Sequence, residues 1–286
     1  MLPVKRILFP VDYSDHCRSV VPYVKEMAGH FSAQPTLVHA YGVGALPYTE
    51  LAAADPSWPE KVQRREEQRL GEFAAQMFPG LHADCILEEG EPGTVIDKVI
   101  QRQGTDLVMM PTHGLGPLRR LLLGSVTAKV LHDVSAAVWT GAGRMVDNRP
   151  RRYSYESILC AVDLSDESEA VVRAAAGFAG SYHARLSLVH VVELPPPNVD
   201  VDFTQFKQEL IDADNERLRD LKNKLGIDAS LTCMDGATAN CVCREAIQKE
   251  ADLIVVGRGR AQGALSRIWS RLYTIVRESP CPVLSI

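Results

Sequence analysis

No stretch of this chain approaches the roughly 18–20 consecutive apolar residues that span a bilayer, so no membrane segment is expected. The amino terminus carries Lys5 and Arg6 ahead of a strand-like run, without the apolar core and small-residue cleavage site of a secretory leader. A cytoplasmic location is the expectation. There is no excess of positive charge: the formal net charge is −5, which gives no electrostatic case for nucleic acid. Cysteines number seven, scattered and odd in count, which suits a reducing compartment better than a disulfide framework. Cys241 and Cys243 form a close pair, but no His lies near them in sequence and a metal site needs more ligands. Several chemical signatures are missing too. No Gly-x-x-x-x-Gly-Lys-Ser/Thr occurs, which excludes a P-loop NTPase. No Gly-x-Ser-x-Gly elbow occurs. Gly257-Arg-Gly259-Arg-Ala-Gln-Gly263 misses the dinucleotide spacing by one residue.

What is present is a duplication. Ile7-Leu-Phe-Pro-Val-Asp-Tyr-Ser-Asp15 returns as Ile158-Leu-Cys-Ala-Val-Asp-Leu-Ser-Asp166. Leu37-Val-His39 returns as Leu188-Val-His190, and Asp106-Leu-Val108 as Asp252-Leu-Ile254. The copies lie roughly 150 residues apart, too far for a solenoid and the usual size of a whole domain. Two domains are expected, over 1–143 and 154–286, with Gly141–Tyr153 as linker. The 46% hydrophobic content supplies two cores.

Short apolar runs alternate with longer amphipathic stretches. In the first copy strands are expected at Arg6–Val11, Thr36–Ala40, Ala83–Leu87, Leu107–Met110 and Ala137–Thr140. In the second they fall at Ser157–Val162, Leu186–Val191, Ala229–Cys233, Leu253–Val256 and Val283–Ile286. Helices lie between them. One begins after Ser14, a cap candidate, and its repeat begins at Ser165. Uniformly apolar strands separated by helices mean an α/β fold with a parallel sheet covered on both faces and right-handed crossovers.

Ligands of such sheets sit beyond the carboxyl ends of the strands, where strand order reverses. Residues there carry the chemistry. The first strand ends on Pro10-Val11-Asp12, the second on His39-Ala40, and the fourth runs into Pro111-Thr-His113-Gly114-Leu-Gly-Pro117. Gly124-Ser125-Val126-Thr127 then opens a helix. Gly114 and Gly124 permit close backbone approach. The helix start presents free N–H groups that favour phosphate, and Ser125 and Thr127 add hydroxyls. Arg119 and Arg120 supply positive charge nearby, Asp12 an acceptor for ribose hydroxyls, and Ala40 a backbone edge for adenine. The alternative reading makes Ser125 a helix cap, the glycines turn residues, and Asp12 a cap of the next helix. His39 and His190, at equivalent strand ends, read as structural.

These residues resemble the universal stress protein (UspA-like) family, here as a tandem two-domain member. The resemblance covers nearly the whole chain and rests on Thr112-His-Gly114, on Arg119-Arg-Leu-Leu-Leu-Gly124-Ser-Val126, and on the two strand ends. It implies two doubly wound five-stranded domains of strand order 3-2-1-4-5. It further implies pairing of their fifth strands in an internal pseudo-dimer. It also implies ATP or another adenine nucleotide in the first domain. Asp12 and Ala40 would hold the adenosine. His113, Gly114, Gly124, Ser125, Val126 and Thr127 would hold the phosphates, with Pro10 at the strand end and Mg²⁺ or Mn²⁺ as companion. Pro111 replaces the family's first motif glycine and has no N–H to give. In the second copy Gly257 keeps that place, Arg260 replaces the next glycine, and Ser270-Arg271 stand where Gly-Ser is expected. The second domain is therefore not expected to bind ATP in the family manner. Asp163 and His190-Val191 persist, leaving its adenosine side open to another small ligand, while Arg258, Arg260, Arg267 and Arg271 either favour a different anion or are surface charges of a solvated loop.

No nucleophile stands with its base, so a stress-response regulator that binds nucleotide and addresses an unidentified protein partner is the leading expectation. The alternatives are a slow ATPase or nucleotide-cleaving enzyme with His113 as acid–base, and a ligand-free structural module. The sequence leaves open whether chains pair further as homodimers.

Overall fold

Apolar strand runs and one-faced helices assemble as their periodicities require. In a computed structural model, the described residues are 4–42, 55, 57–113, 123–141, 153–192, 203–259 and 265–286, with side chains described outside 203–204 and 265–270. Gly114, Arg119, Arg120, Arg260 and most of the Gly141–Tyr153 stretch lie outside them, as does the side chain of Arg267.

The first half runs β1 (Arg6–Pro10), α1 (Asp15–Phe31), β2 (Gln34–Tyr41), α2 (Trp58–Met77), β3 (Asp84–Glu89), α3 (Pro92–Gln103), β4 (Leu107–Met110), α4 (Ser125–Asp133) and β5 (Ala137–Thr140). The second runs β6 (Ser157–Val162), α5 (Ser168–Tyr182), β7 (Arg185–Val192), α6 (Phe203–Leu225), β8 (Ser230–Asp235), α7 (Thr238–Gln248), β9 (Leu253–Val256), α8 (Leu265–Glu278) and β10 (Val283–Ser285). In the first half the strands stand in the order β3-β2-β1-β4-β5, and in the second β8-β7-β6-β9-β10. Both orders are 3-2-1-4-5 in the half's own count. The β1–β2, β2–β3 and β1–β4 ladders are parallel, and so are β6–β7, β7–β8, β6–β9 and β9–β10. The doubly wound expectation holds in each half.

Helices cover both faces of such sheets, so the central strands are buried without alternation. All four residues of β4 and of β9 are buried. Each half has its own core. Ile7, Leu8, Phe9, Val24, Met27 and Leu107 are at most 1% exposed in the first; Ile158, Leu159, Cys160, Val172, Leu188 and Leu253 do the same in the second. The duplicated cores are filled differently. Phe9 on β1 is replaced by the slimmer Cys160 on β6, while Met27 on α1 gives way to the aromatic Phe178 on α5, packed on Tyr155 and Tyr182. Volume moves from strand to helix, the kind of exchange cores tolerate.

Strand ends differ from expectation by a residue or two, as β2 does, extended to Gln34–Tyr41. One helix start is displaced further. Ser14 caps α1 as expected, accepting from Cys17 N–H. Its repeat Ser165 does not cap α5, which begins only at Ser168. Ser165 instead gives its carbonyl to the Ser168 N–H in an extra turn ahead of the helix.

Candidate functional site

Strands β2, β1 and β4 are neighbours, so their carboxyl ends converge where the order reverses. Just past β1, Tyr13 takes a left-handed conformation, φ 61°. The chain turns there so that Ser14 N–H (3.0 Å) and Ser14 Oγ (2.7 Å) both donate to Asp12 Oδ1. The short polar side chain bonding the backbone two residues on is a standard turn device. It leaves Oδ2 of Asp12 without a partner among the described residues. Asp12 therefore takes up its turn role with one oxygen only.

On the neighbouring strand, the Val38 carbonyl accepts from Val11 N–H at 2.8 Å, the last rung of the β1–β2 ladder. Strand backbone faces the same neighbour every second residue. The main chain of Ala40 thus turns toward the β1 side where β1 has already ended at Pro10. Between them, His39 Nδ1–H donates to the Val11 carbonyl at 2.7 Å and fixes the peptide that precedes Asp12.

At the third strand end, Thr112 and His113 are buried, and His113 Nδ1 meets Thr112 Oγ1 at 2.9 Å. The rings of His113 and His16 lie 6.2 Å apart. Two bonds tie the start of α4 back to this end: Gly124 N–H to the Thr112 carbonyl, 3.0 Å, and Thr127 Oγ1–H to the Pro111 carbonyl, 3.0 Å. Pro111 thus serves through its carbonyl, and its lack of an N–H costs nothing in this contact. Among the described residues no side chain caps α4, unlike α1 and α3, whose first N–H groups are met by Ser14 and Glu91. Among the described residues nothing meets the opening N–H donors of α4, which stand with the exposed Ser125 at the positive end of the helix. Gly124 admits this closeness: a Cβ there would stand 3.3 Å from the Thr112 carbonyl oxygen.

Pro10, Asp12, Ala40, His113, Gly124, Ser125, Val126 and Thr127 are therefore gathered around the ends of adjacent strands and the helix they lead to. Gly114 lies outside the described residues.

Sequence reasoning missed a group that both halves share. His39 Nε2 lies 3.7 Å from Glu66, and Glu66 lies 3.6 Å from Arg69. In the second half His190 Nε2 is 3.2 Å from Asp214, which is 2.8 Å from Arg217, and His190 Nδ1–H donates to the Val162 carbonyl at 2.7 Å. The signal was legible: Glu66-Glu-Gln-Arg69-Leu70 and Asp214-Asn-Glu-Arg217-Leu218 stand at matching places on α2 and α6. The two sets differ in what the arginine covers. Arg69 lies over the Tyr13 ring, 3.9 Å from its centroid, and that ring packs on His39 and Phe73. Burial, with Glu66 beside it, pushes the Tyr13 hydroxyl up to about 12, so it stays neutral. Arg217 instead donates to the carbonyl of Leu164, the counterpart of Tyr13, at 3.1 Å.

In the second half, the ends of β6, β7 and β9 border a cavity of about 390 Å³. Asp163, Ser168, His190, Asp214 and Arg271 bring polar groups to it, against apolar walls that include Val171 and Val242. The helix start that would face a phosphate is gone. α8 has 14 residues against nine in α4. Matched on their last residues, Glu278 and Asp133, the places of Gly124-Ser125 fall on Trp269-Ser270, one position before the Ser270-Arg271 expected from loop spacing. Either pair lies inside α8, where N–H groups already bond the preceding turn. Helix continuity, more than bulky side chains, removes those donors.

All seven cysteines are free. Burial pushes the thiols of Cys17 and Cys160 up to about 12, which keeps them unreactive. Among the described residues, no helix is long and apolar enough to cross a membrane.

Comparison with known proteins agrees with this fold. The chain is 30% identical over 135 residues to the "Universal stress protein in QAH/OAS sulfhydrylase 3'region" of Thermus aquaticus, covering 47% of this chain and 96% of that one. It is 29% identical over 130 residues to universal stress protein A of Escherichia coli K12, covering 44% of this chain and 86% of that one. Over its whole length it shares the fold of a universal stress protein from Archaeoglobus fulgidus: TM-score 0.70, 20% identity, 98% of this chain and 95% of that one. The family model described as "Universal stress protein family" matches residues 3–140 and again 154–286. With two tandem matches that together take in most of its length, the chain belongs to the universal stress protein family.

Proposed function

We propose that the protein is a nucleotide-responsive regulator whose first half holds an adenine nucleotide of the ATP type. The observation that carries this reading is the uncapped start of α4, bonded to the end of β4 by Gly124 and Thr127, next to the strand end from which Asp12 offers an unpartnered carboxylate oxygen. A helix N-terminus supplies the N–H donors and partial positive charge that phosphate needs. Asp12 Oδ2 supplies the acceptor that ribose hydroxyls need. The Ala40 main chain, past the end of β1, supplies an edge for the base. Thr127 orients the helix start, and Ser125 adds a hydroxyl donor. His113 closes the phosphate side.

A companion Mg²⁺ or Mn²⁺ would take its ligands chiefly from the phosphates. Among the described residues no group of three or more His, Cys, Asp or Glu side chains is placed to hold one. Bound nucleotide would bias assembly with a protein partner.

Isothermal calorimetry with ATP tests the reading. One site per chain is expected, lost in Asp12→Ala. Two equal sites, or none, would contradict it.

A further inference from the structure

The second half carries a cavity that lacks the phosphate arrangement yet keeps an acceptor. Asp163 Oδ1 accepts from Ser165 N–H (3.0 Å), Ser165 Oγ (2.7 Å) and Ser168 Oγ (2.8 Å). All three bonds end on one oxygen, and Oδ2 has no partner among the described residues. We propose that this cavity is a second ligand site, for a small non-anionic molecule that sets a hydroxyl or ammonium donor against Asp163 and an apolar body against the valine walls.

The chemistry of the walls selects that class. Among the described residues, three carboxylates line the cavity, those of Asp163, Glu167 and Asp214, against one guanidinium, that of Arg271. Arg271 takes part in an interaction of its own. Asp214 is satisfied by Arg217 and His190. Glu167 takes part in an interaction of its own, which leaves Asp163 as the acid to bind. Burial works against its charge, but the Ser165 and Ser168 donors outweigh it and hold the carboxyl below the usual range. An anion would meet this negative wall with no helix terminus to receive it, since α8 runs through the equivalent place. The apolar remainder takes flat or aliphatic surface: Val171, Val189, Val242, Val256, Leu272 and Ile275 all line the space. Its volume of about 390 Å³ lies within the range of small-molecule sites, roughly 300–1,000 Å³. Gly257 at the end of β9 is held tight, because a Cβ there would stand 3.0 Å from Val171 Cγ2. The site uses none of the residues assigned to the nucleotide, so the two readings fail separately.

The full-length protein is first saturated with ATP. It is then titrated with two probes: adenosine, neutral with hydroxyl donors, and 2-phenylethylamine, an ammonium on an aromatic body. Binding of either probe beside ATP is expected, and the arm that binds tells hydroxyl from ammonium. Asp163→Asn should weaken it about tenfold or more, the worth of a hydrogen bond to a charged group. Thr238→Phe, which fills the cavity from the α7 start, should abolish it. Circular dichroism establishes that each variant is folded. Binding of neither probe, binding indifferent to both substitutions, or a second ATP taken as tightly as the first overturns the proposal.

Discussion

At Gly124 a single methyl group decides whether a strand end and a helix start can touch. Its added Cβ would press on the Thr112 carbonyl at 3.3 Å, tighter than ordinary contact, and would move the α4 start from the place where its N–H groups converge. Gly124→Ala should therefore leave the fold intact, by circular dichroism, while weakening ATP binding about tenfold, as loss of one charge-assisted contact would. Thr127→Val probes the second tie. It removes the bond to the Pro111 carbonyl while keeping the shape, and should lower stability by about 1 kcal/mol in urea unfolding. Calorimetry should show weaker ATP binding in the same variant, since the helix start loses its anchor. Residue by residue, the positions of these candidates were readable in advance because strand ends and a Gly-Ser helix start are places that the fold rule itself singles out. The His39–Glu66–Arg69 contacts were not read, because they join β2 to one face of α2, and only the repeat of Arg-Leu on α6 betrays them.

Among the elements, α3 shows how a cap ties stability to pH. Glu91 accepts from the N–H groups of Gly93 (3.0 Å) and Thr94 (2.8 Å) and from the Thr94 hydroxyl (2.8 Å). Burial opposes its charge, but these donors outweigh it and hold the carboxyl below its usual range. A depressed folded-state value means stability that is complete above the unfolded carboxyl's pKa of about 4.3 and lost as pH falls through the folded value. Glu91→Ala should cost about 1 kcal/mol at neutral pH, seen as a lower Tm, and the gap from the parent protein should close on acidification below about pH 4. A gap that widens there would refute the cap. The elements themselves were largely legible from alternation of apolar runs with amphipathic stretches, and β4 was placed to the residue. The start of α5 was not. The Asp-x-Ser repeat looks identical in both halves, but Ser168 answers Asp163 in the second, and that tertiary choice goes with a helix that begins later than its counterpart, at Ser168 and not at Asp166. The Gly-Ser place expected at Ser270-Arg271 falls inside α8 for a related reason, since loop spacing counts positions and says nothing of where a helix begins.

For the molecule as a whole, duplication means two compact units, Pro3–Trp139 and Thr140–Ile286, each with its own core. Ile7 and Ile158 are equivalent and at most 1% exposed. Ile7→Ala should cost about 2–5 kcal/mol. Hydrogen exchange should then quicken first in amides of the first unit, whereas Ile158→Ala should quicken those of the second. Uniform acceleration across both units in either variant would show a single cooperative core instead. Paired calorimetry of the two variants should follow the same division, with ATP affinity suffering more from the change in the first unit.

The added length at the front of α8 amounts to about 7.5 Å of helix at 1.5 Å per residue, and it marks a reversible divergence. Exchanging Trp269-Ser270 for Gly-Ser would not by itself restore an anion seat, because the coil would still wind through it. A stop signal one turn upstream would be needed, so gain of a second triphosphate pocket in such a chain requires a change of helical boundary before any change of contact residue.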